Sequence, residues 1–380
     1  MNLSKPTKFH LESLRKEIGA LIVHTKPLSD QVSVPTCWSK NSVDVDVALQ
    51  VIGASSQSIH DGVTRFNLVY KSSPSEIASE SMSKETGGFC QQMVASLTLL
   101  SSVGASTAMV AYFSAGVRAV LHALKDLVDA LLDSSRHAHL NGLTGIVWQS
   151  CKELQQAPKT NKLACRRQMM QWSVAIKDTI DEFVDAVKSA AATTPENGKP
   201  NPSPDETDLD EQFAAKATVC SDEEGNQGDF DFDDMGEDYS TAELPCVEAS
   251  IDVLRVFRRC LKAANESFNT LDSAPPKAGG EAGGGAALEG WLREKLTWAK
   301  SVQTHLDGAN ECAGEVGILL YPPLDGEELL HRAKELETSL TAFCDVFDAY
   351  EEGGSEARES ALRTAVVERI SEMKTTVDKL

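Results

Sequence analysis

The sequence predicts an all-α protein of two antiparallel helical bundles, about five helices and then four, joined by an acidic disordered linker. Three observations carry that reading. Apolar residues recur at helical spacing along most of the 380 residues. One internal stretch concentrates the negative charge. No sustained alternation of apolar and polar residues competes, the short run from Val43 to Val47 being a weak strand signal.

Residues 1–192 form the first predicted bundle. A short helix runs from His10 to Val23, and Ile52, Ile59, Val63, Phe66 and Tyr70 form a stripe ended by Ser72-Ser73-Pro74. No residue from Gln91 to Val117 is charged, a length that could span a bilayer. Seven serines and threonines and Gly104 interrupt it, and no Lys/Arg clusters flank it, so two buried helices meeting around Ser101 to Ser106 are expected, and no membrane association. Val117, Val120, Leu121, Leu124, Val128, Leu131 and Leu132 continue the second of these. Thr160 is a plausible N-cap for a helix carrying Met169, Trp172, Ile176, Ile180, Phe183 and Val187.

Residues 193–243 form the predicted linker. Between Glu196 and Glu243 lie 16 acidic and 2 basic residues, a net of −14 within a chain of net charge −21. Dense charge with sparse apolar residues cannot bury enough surface to offset chain entropy, so this stretch reads as disordered.

Residues 244–380 form the second predicted bundle, a four-helix up-and-down arrangement. Pro245 suits a first helical turn. Successive stripes follow from Val247 to Phe268, from Leu288 to Leu320, from Leu329 to Phe347 and from Leu362 to Leu380. A Gly- and Pro-rich tether at 274–285 separates the first two, and Tyr321-Pro322-Pro323 must stop the second helix.

Composition bounds function. With 57 acidic and 36 basic residues the chain repels phosphate backbones unless it holds a concentrated basic patch. Lys162, Arg166 and Arg167 come nearest and fit a solvated helix face, so no nucleic-acid partner is expected. The nine cysteines are odd in number and widely spaced, which fits reduced, buried thiols, and the N-terminus lacks a signal-peptide core. Phosphate-loop, dinucleotide, zinc-protease and nucleophile-elbow motifs are all absent. His137 and His139, two apart, read as a solvated loop. No catalytic, cofactor-binding or metal-ligating residue is assigned, no cofactor is expected, and the chain reads as a non-enzyme that offers surfaces to other proteins. A cytoskeletal or adhesion-type bundle scaffold is the alternative.

Four segments in order carry a family resemblance: Val63-Thr-Arg-Phe-Asn-Leu-Val-Tyr-Lys-Ser-Ser-Pro74 with Phe89-Cys-Gln-Gln-Met93; Val147-Trp-Gln-Ser-Cys-Lys-Glu-Leu-Gln-Gln-Ala-Pro158 with Asn161-Lys162; Leu244-Pro-Cys246 after an acidic insert; and Ile318-Leu-Leu-Tyr-Pro-Pro323. Together they resemble the cyclin-D1-binding protein 1 family, the cyclin-D-interacting proteins. That resemblance implies two all-α bundle regions, a place in cytoplasm and nucleus, and restraint of proliferation. It implies D-type cyclins, a Grb2-type adaptor and helix-loop-helix transcription factors as partners.

Two finer signals remain. Leu244, Cys246 and Glu248 match the L-x-C-x-E pattern that docks extended segments on retinoblastoma-type pockets, although Pro245 starts a helix there. Ser221 precedes Asp222-Glu223-Glu224, a fit for an acidophilic kinase, and Thr194-Pro195 and Ser203-Pro204 fit proline-directed kinases. Thr194, Ser203 and Ser221 are the candidate phosphorylation sites. The oligomeric state is left open.

Overall fold

Serine side chains set the starts of the first four helices. Ser4, Ser42, Ser75 and Ser106 each accept a hydrogen bond from the backbone N–H three residues on, which satisfies a donor the helix itself leaves free. The computed structural model describes residues 3–25, 34–72, 75–193, 239–271, 285–349 and 356–380. Among these are ten α-helices, one 3-10 helix and no strand.

The first five helices are α1 (Lys5–His24), α2 (Val43–Lys71), α3 (Glu76–Ser102), α4 (Thr107–Leu132) and α5 (Leu140–Gln155), with the 3-10 turn Ser134–His139 before α5. The alternating run at Val43 is helical. Ser42 caps it, Asp44 and Asp46 favour the positive end of the helix dipole, and only Val45 of the three valines is buried. The uncharged stretch splits into α3 and α4 at the expected place. Gly104 makes the turn with φ of +105°, where a Cβ would stand 1.9 Å from Thr36 Oγ1, so only glycine fits. Helix α4 is long and apolar enough to cross a membrane by composition, but it is the central core helix, packed on α1, α3, α5 and α6. Helix α5 is an addition to the expected set. It buries Leu140, Thr144, Val147, Cys151 and Leu154.

Helix α6 (Asn161–Thr193) opens with the expected cap, Leu163 donating its backbone N–H to Thr160 Oγ1. It packs chiefly on α7 (Leu244–Thr270) and more lightly on α4, which makes it the element shared by both bundles. Helices α8 (Gly285–Leu319), α9 (Gly326–Asp348) and α10 (Glu356–Val377) complete the second bundle: α7 packs on α10, α10 on α9 and α9 on α8, while α8 touches α7 and α6.

Most of the acidic linker, with Thr194, Ser203, Ser221 and Cys220, lies outside the described residues, as do 272–284. Residues 239–243 are described. Tyr239 donates its hydroxyl to the carbonyl of Leu320 at 2.7 Å, and Glu243 accepts from the N–H groups of Leu324 and Ser240, both at 2.8 Å. They pin the turn between α8 and α9. All eight described cysteines are free thiols, seven buried and Cys312 half-buried.

Candidate interaction surfaces

The residues that carry the family resemblance are fastened to one another. On α2, Tyr70 donates its hydroxyl to the carbonyl of Ser79 at 3.0 Å, and Asn67 donates to Thr144 Oγ1 at 2.8 Å, fixing α3 and α5 respectively. Trp148 on α5 donates its indole N–H to the carbonyl of His60 at 3.1 Å. Asn161, fully buried at the start of α6, donates to the carbonyls of Cys37 at 2.7 Å and Gly104 at 3.0 Å, and accepts the N–H of Ser106 at 2.6 Å. One side chain thereby closes the loop before α2 against the α3–α4 turn. In the last motif, Tyr321 donates to Glu182 Oε1 at 2.5 Å and stacks edge-on with Phe183 at 5.1 Å, joining α8 to α6.

Between α2 and α3 lies a cleft of about 20 Å³, lined by Gly62, Phe66, Met82 and Phe89 and bridged by the Arg65–Glu85 ion pair at 2.9 Å. That volume holds about one water, not a substrate.

Polar side chains also tie α6 to α7. Residues 159–176 carry Lys159, Lys162, Arg166 and Arg167 and no acidic residue; residues 253–265 carry Arg255, Arg258, Arg259 and Lys262 and likewise none. Because α6 and α7 pack on each other, three of these side chains bond across the pair. Lys162 Nζ bonds the carbonyl of Asn269 at 2.9 Å, Arg166 Nε bonds Asn265 Oδ1 at 3.2 Å, and Arg258 Nε bonds Ser173 Oγ at 3.3 Å.

The predicted site residues fall as follows. Leu244–Glu248 is the first turn of α7, with Leu244 half-buried, Cys246 fully buried and Glu248 exposed. Burial pushes the Cys246 thiol up to about 11. His137 lies 3.3 Å from the carbonyl of Leu131 and His139 is exposed, both in the 3-10 turn. Among the described residues no three His, Cys, Asp or Glu side chains converge as a metal site would require. Burial raises the thiols of Cys90 and Cys165 to about 12, so these are inert packing groups rather than nucleophiles.

Helix faces and pinned turns make up the all-helical surface that the described residues present. Residues 51–189, most of α2 through α6, match the family described as Grap2 and cyclin-D-interacting, N-terminal. That match agrees with the resemblance to the cyclin-D1-binding protein family that the sequence motifs carry. No curated protein matches the chain.

Proposed function

We propose that this chain is a non-catalytic regulator that binds D-type cyclins and a Grap2-like or Grb2-type adaptor, and that it restrains cell-cycle progression in cytoplasm and nucleus. The observation that carries the reading is the family match over residues 51–189, the stretch whose motif residues lock α2, α3, α5 and α6 together. Helix-loop-helix transcription factors are proposed as further partners on the family resemblance. Phosphorylation at Thr194, Ser203 or Ser221 is proposed to adjust the acidic stretch, since added phosphate there raises its charge or creates an arginine-pairing site on a partner. Phosphopeptide mass spectrometry of the chain from dividing cells tests that part, and three unmodified sites would end it.

The test of the main reading is direct titration of the purified chain with a purified D-type cyclin, together with affinity purification from dividing cells. Saturable binding and recovery of D-type cyclins are the expected results. No binding at tens of micromolar, with actin-linked proteins recovered instead, would replace it by the scaffold reading.

A further inference from the structure

We propose that Ser240 is a phosphorylation site for an acidophilic serine kinase, and that phosphate there releases Glu243 from the turn between α8 and α9. The inference stands apart from the cyclin reading and from Thr194, Ser203 and Ser221, because it rests on a described cluster of bonds.

Ser240 is exposed, as are Thr241 and Ala242 after it. Asp233, Asp234, Glu237 and Asp238 precede it and Glu243 stands three residues on, the acidic surroundings that such a kinase reads. The same Glu243 has a structural task. Ser240 Oγ accepts the Glu243 N–H at 3.3 Å while Glu243 Oε2 accepts the Ser240 N–H at 2.8 Å, the reciprocal bonds of a capping box ahead of α7. Glu243 Oε1 reaches across 81 residues of sequence to accept the N–H of Leu324 at 2.8 Å. Among the described residues these N–H groups are the carboxylate's partners, and no lysine or arginine bonds it.

Transfer moves the γ-phosphoryl group of ATP onto Ser240 Oγ. The new P–O bond forms as the bond to the β-phosphate oxygen breaks, ADP departs, and the hydroxyl proton passes to the kinase's own base. The product carries about −1.5 to −2 charges near pH 7 and three strong acceptor oxygens. Two effects then act on Glu243 in one direction. The phosphate oxygens compete with the carboxylate for the N–H donors ahead of α7, where the helix dipole also favours an anion. They also repel the carboxylate at hydrogen-bond range. Helix α7 thus keeps a cap, now the phosphate, and the tie that is lost is the one to Leu324. The Tyr239 hydroxyl on the carbonyl of Leu320 is left to hold the turn.

The test uses the purified full chain, casein kinase II and ATP, read by phosphopeptide mass spectrometry and by residue-resolved amide exchange. Phosphate should appear on Ser240, and the Leu324 amide should then exchange at least about tenfold faster. Val247, whose N–H bonds the carbonyl of Glu243 at 3.1 Å in the first turn of α7, should stay within about twofold of its own rate. Glu243→Ala without kinase should quicken Leu324 to a similar degree, and kinase-treated Ser240→Ala should not. A chain that takes no phosphate at Ser240, whether or not other serines are modified, would overturn the proposal. So would an unchanged Leu324 rate in the phosphorylated chain or in Glu243→Ala, or equal quickening in kinase-treated Ser240→Ala. Quickening at Val247 as large as at Leu324 would overturn it too, since α7 itself would then be fraying.

Discussion

Trp38 donates its indole N–H to the backbone carbonyl of Phe268 at 3.1 Å, across 230 residues of sequence. The two rings also meet edge to face with centroids 5.5 Å apart. Phe268 in turn meets Trp298 at 6.0 Å, and Trp298 meets Phe347 at 5.8 Å. A file of aromatic rings thus runs from the loop ahead of α2 into the middle of the second bundle. With α6 it makes the two bundles one mechanical unit.

Truncating Trp38 should therefore cost both stability and cooperativity. Its side chain is buried, so Trp38→Ala should lose about 3–5 kcal/mol, while Trp38→Phe keeps a ring, forfeits the hydrogen bond and should lose about 1 kcal/mol more than its volume change alone. Urea unfolding followed by fluorescence and circular dichroism reads both. For the alanine variant the two probes should separate into distinct transitions. A single unshifted transition would refute the coupling.

Asn161 and Gly104 hold the same junction from the other side. Asn161→Leu strands the Cys37 carbonyl and the Ser106 N–H in a buried site, at about 1–3 kcal/mol for each unpaired group, while the Gly104 carbonyl keeps the Thr36 N–H at 3.2 Å. Gly104→Ala forces a Cβ into Thr36 at a positive φ, and should cost more than the 1 kcal/mol typical of a glycine replacement in an accommodating site. Thermal melts of both variants should fall well below the wild type. Relief of the glycine defect by Thr36→Gly should be partial, because the backbone conformation remains unfavourable for alanine.

Much of the fold was legible in the chain, since Leu, Ile, Val and Phe at three- and four-residue spacing mark nine of the ten helices. Helix α5 was not, because its buried stripe is built partly of Thr144, Ser150 and Cys151, small polar residues that carry little apolar signal. The five-residue alternation from Val43 to Val47, a weak strand signal, is too short to outweigh the Ser42 cap and the acidic first turn. The junction was illegible in principle. Trp38 and Phe268 sit in unrelated stretches, and a single tryptophan in a loop shows no period.

The buried thiols set an alkaline limit on stability. Cys90 and Cys165 are raised by burial to about 12, and Cys151 and Cys246 to about 11, from the ordinary thiol value of 9.0. The unfolded chain releases these protons near pH 9 whereas the folded chain keeps them to pH 11–12. Between those limits the unfolded state binds fewer protons, so stability is complete below pH 9 and falls as pH rises toward 12. Denaturant midpoints measured at pH 8 and pH 10 should differ accordingly. At pH 8, among the described cysteines, half-buried Cys312 should react first with a thiol reagent. Fast labelling of Cys90 or Cys165 in the native chain would contradict their burial.

Cutting the chain after residue 192 should not release a well-behaved first bundle. Helix α6 buries Ile176, Ile180 and Phe183, and its main partner is α7, which that cut removes. A fragment of residues 1–192 should expose this stripe, bind a hydrophobic dye and self-associate in sedimentation, while the full chain does neither. A monomeric fragment with an unchanged melting point would show that α6 is held by α4 alone.

The Leu244–Glu248 turn should behave differently as a peptide and within the chain. Docking on a retinoblastoma-type pocket needs an extended segment with Leu244 and Cys246 both free to enter a groove. In the folded chain Cys246 has no exposed surface, its N–H bonds the carbonyl of Glu243 at 2.9 Å, and its carbonyl accepts the hydroxyl of Ser250 at 2.8 Å. Extending this segment would undo the first turn of α7, expose the thiol's cavity and release Glu243 from the α8–α9 turn it pins. Losing a buried side chain of this size and its helical bonds costs about 2–4 kcal/mol, which lowers the apparent affinity between about thirtyfold and a thousandfold. A free peptide spanning residues 238–250 should therefore bind a retinoblastoma pocket measurably tighter than the intact chain does, and Pro245→Gly in the chain, by loosening the first turn, should narrow the gap. Equal affinity of peptide and chain would mean that this turn opens at little cost and that the buried cysteine is no barrier to docking.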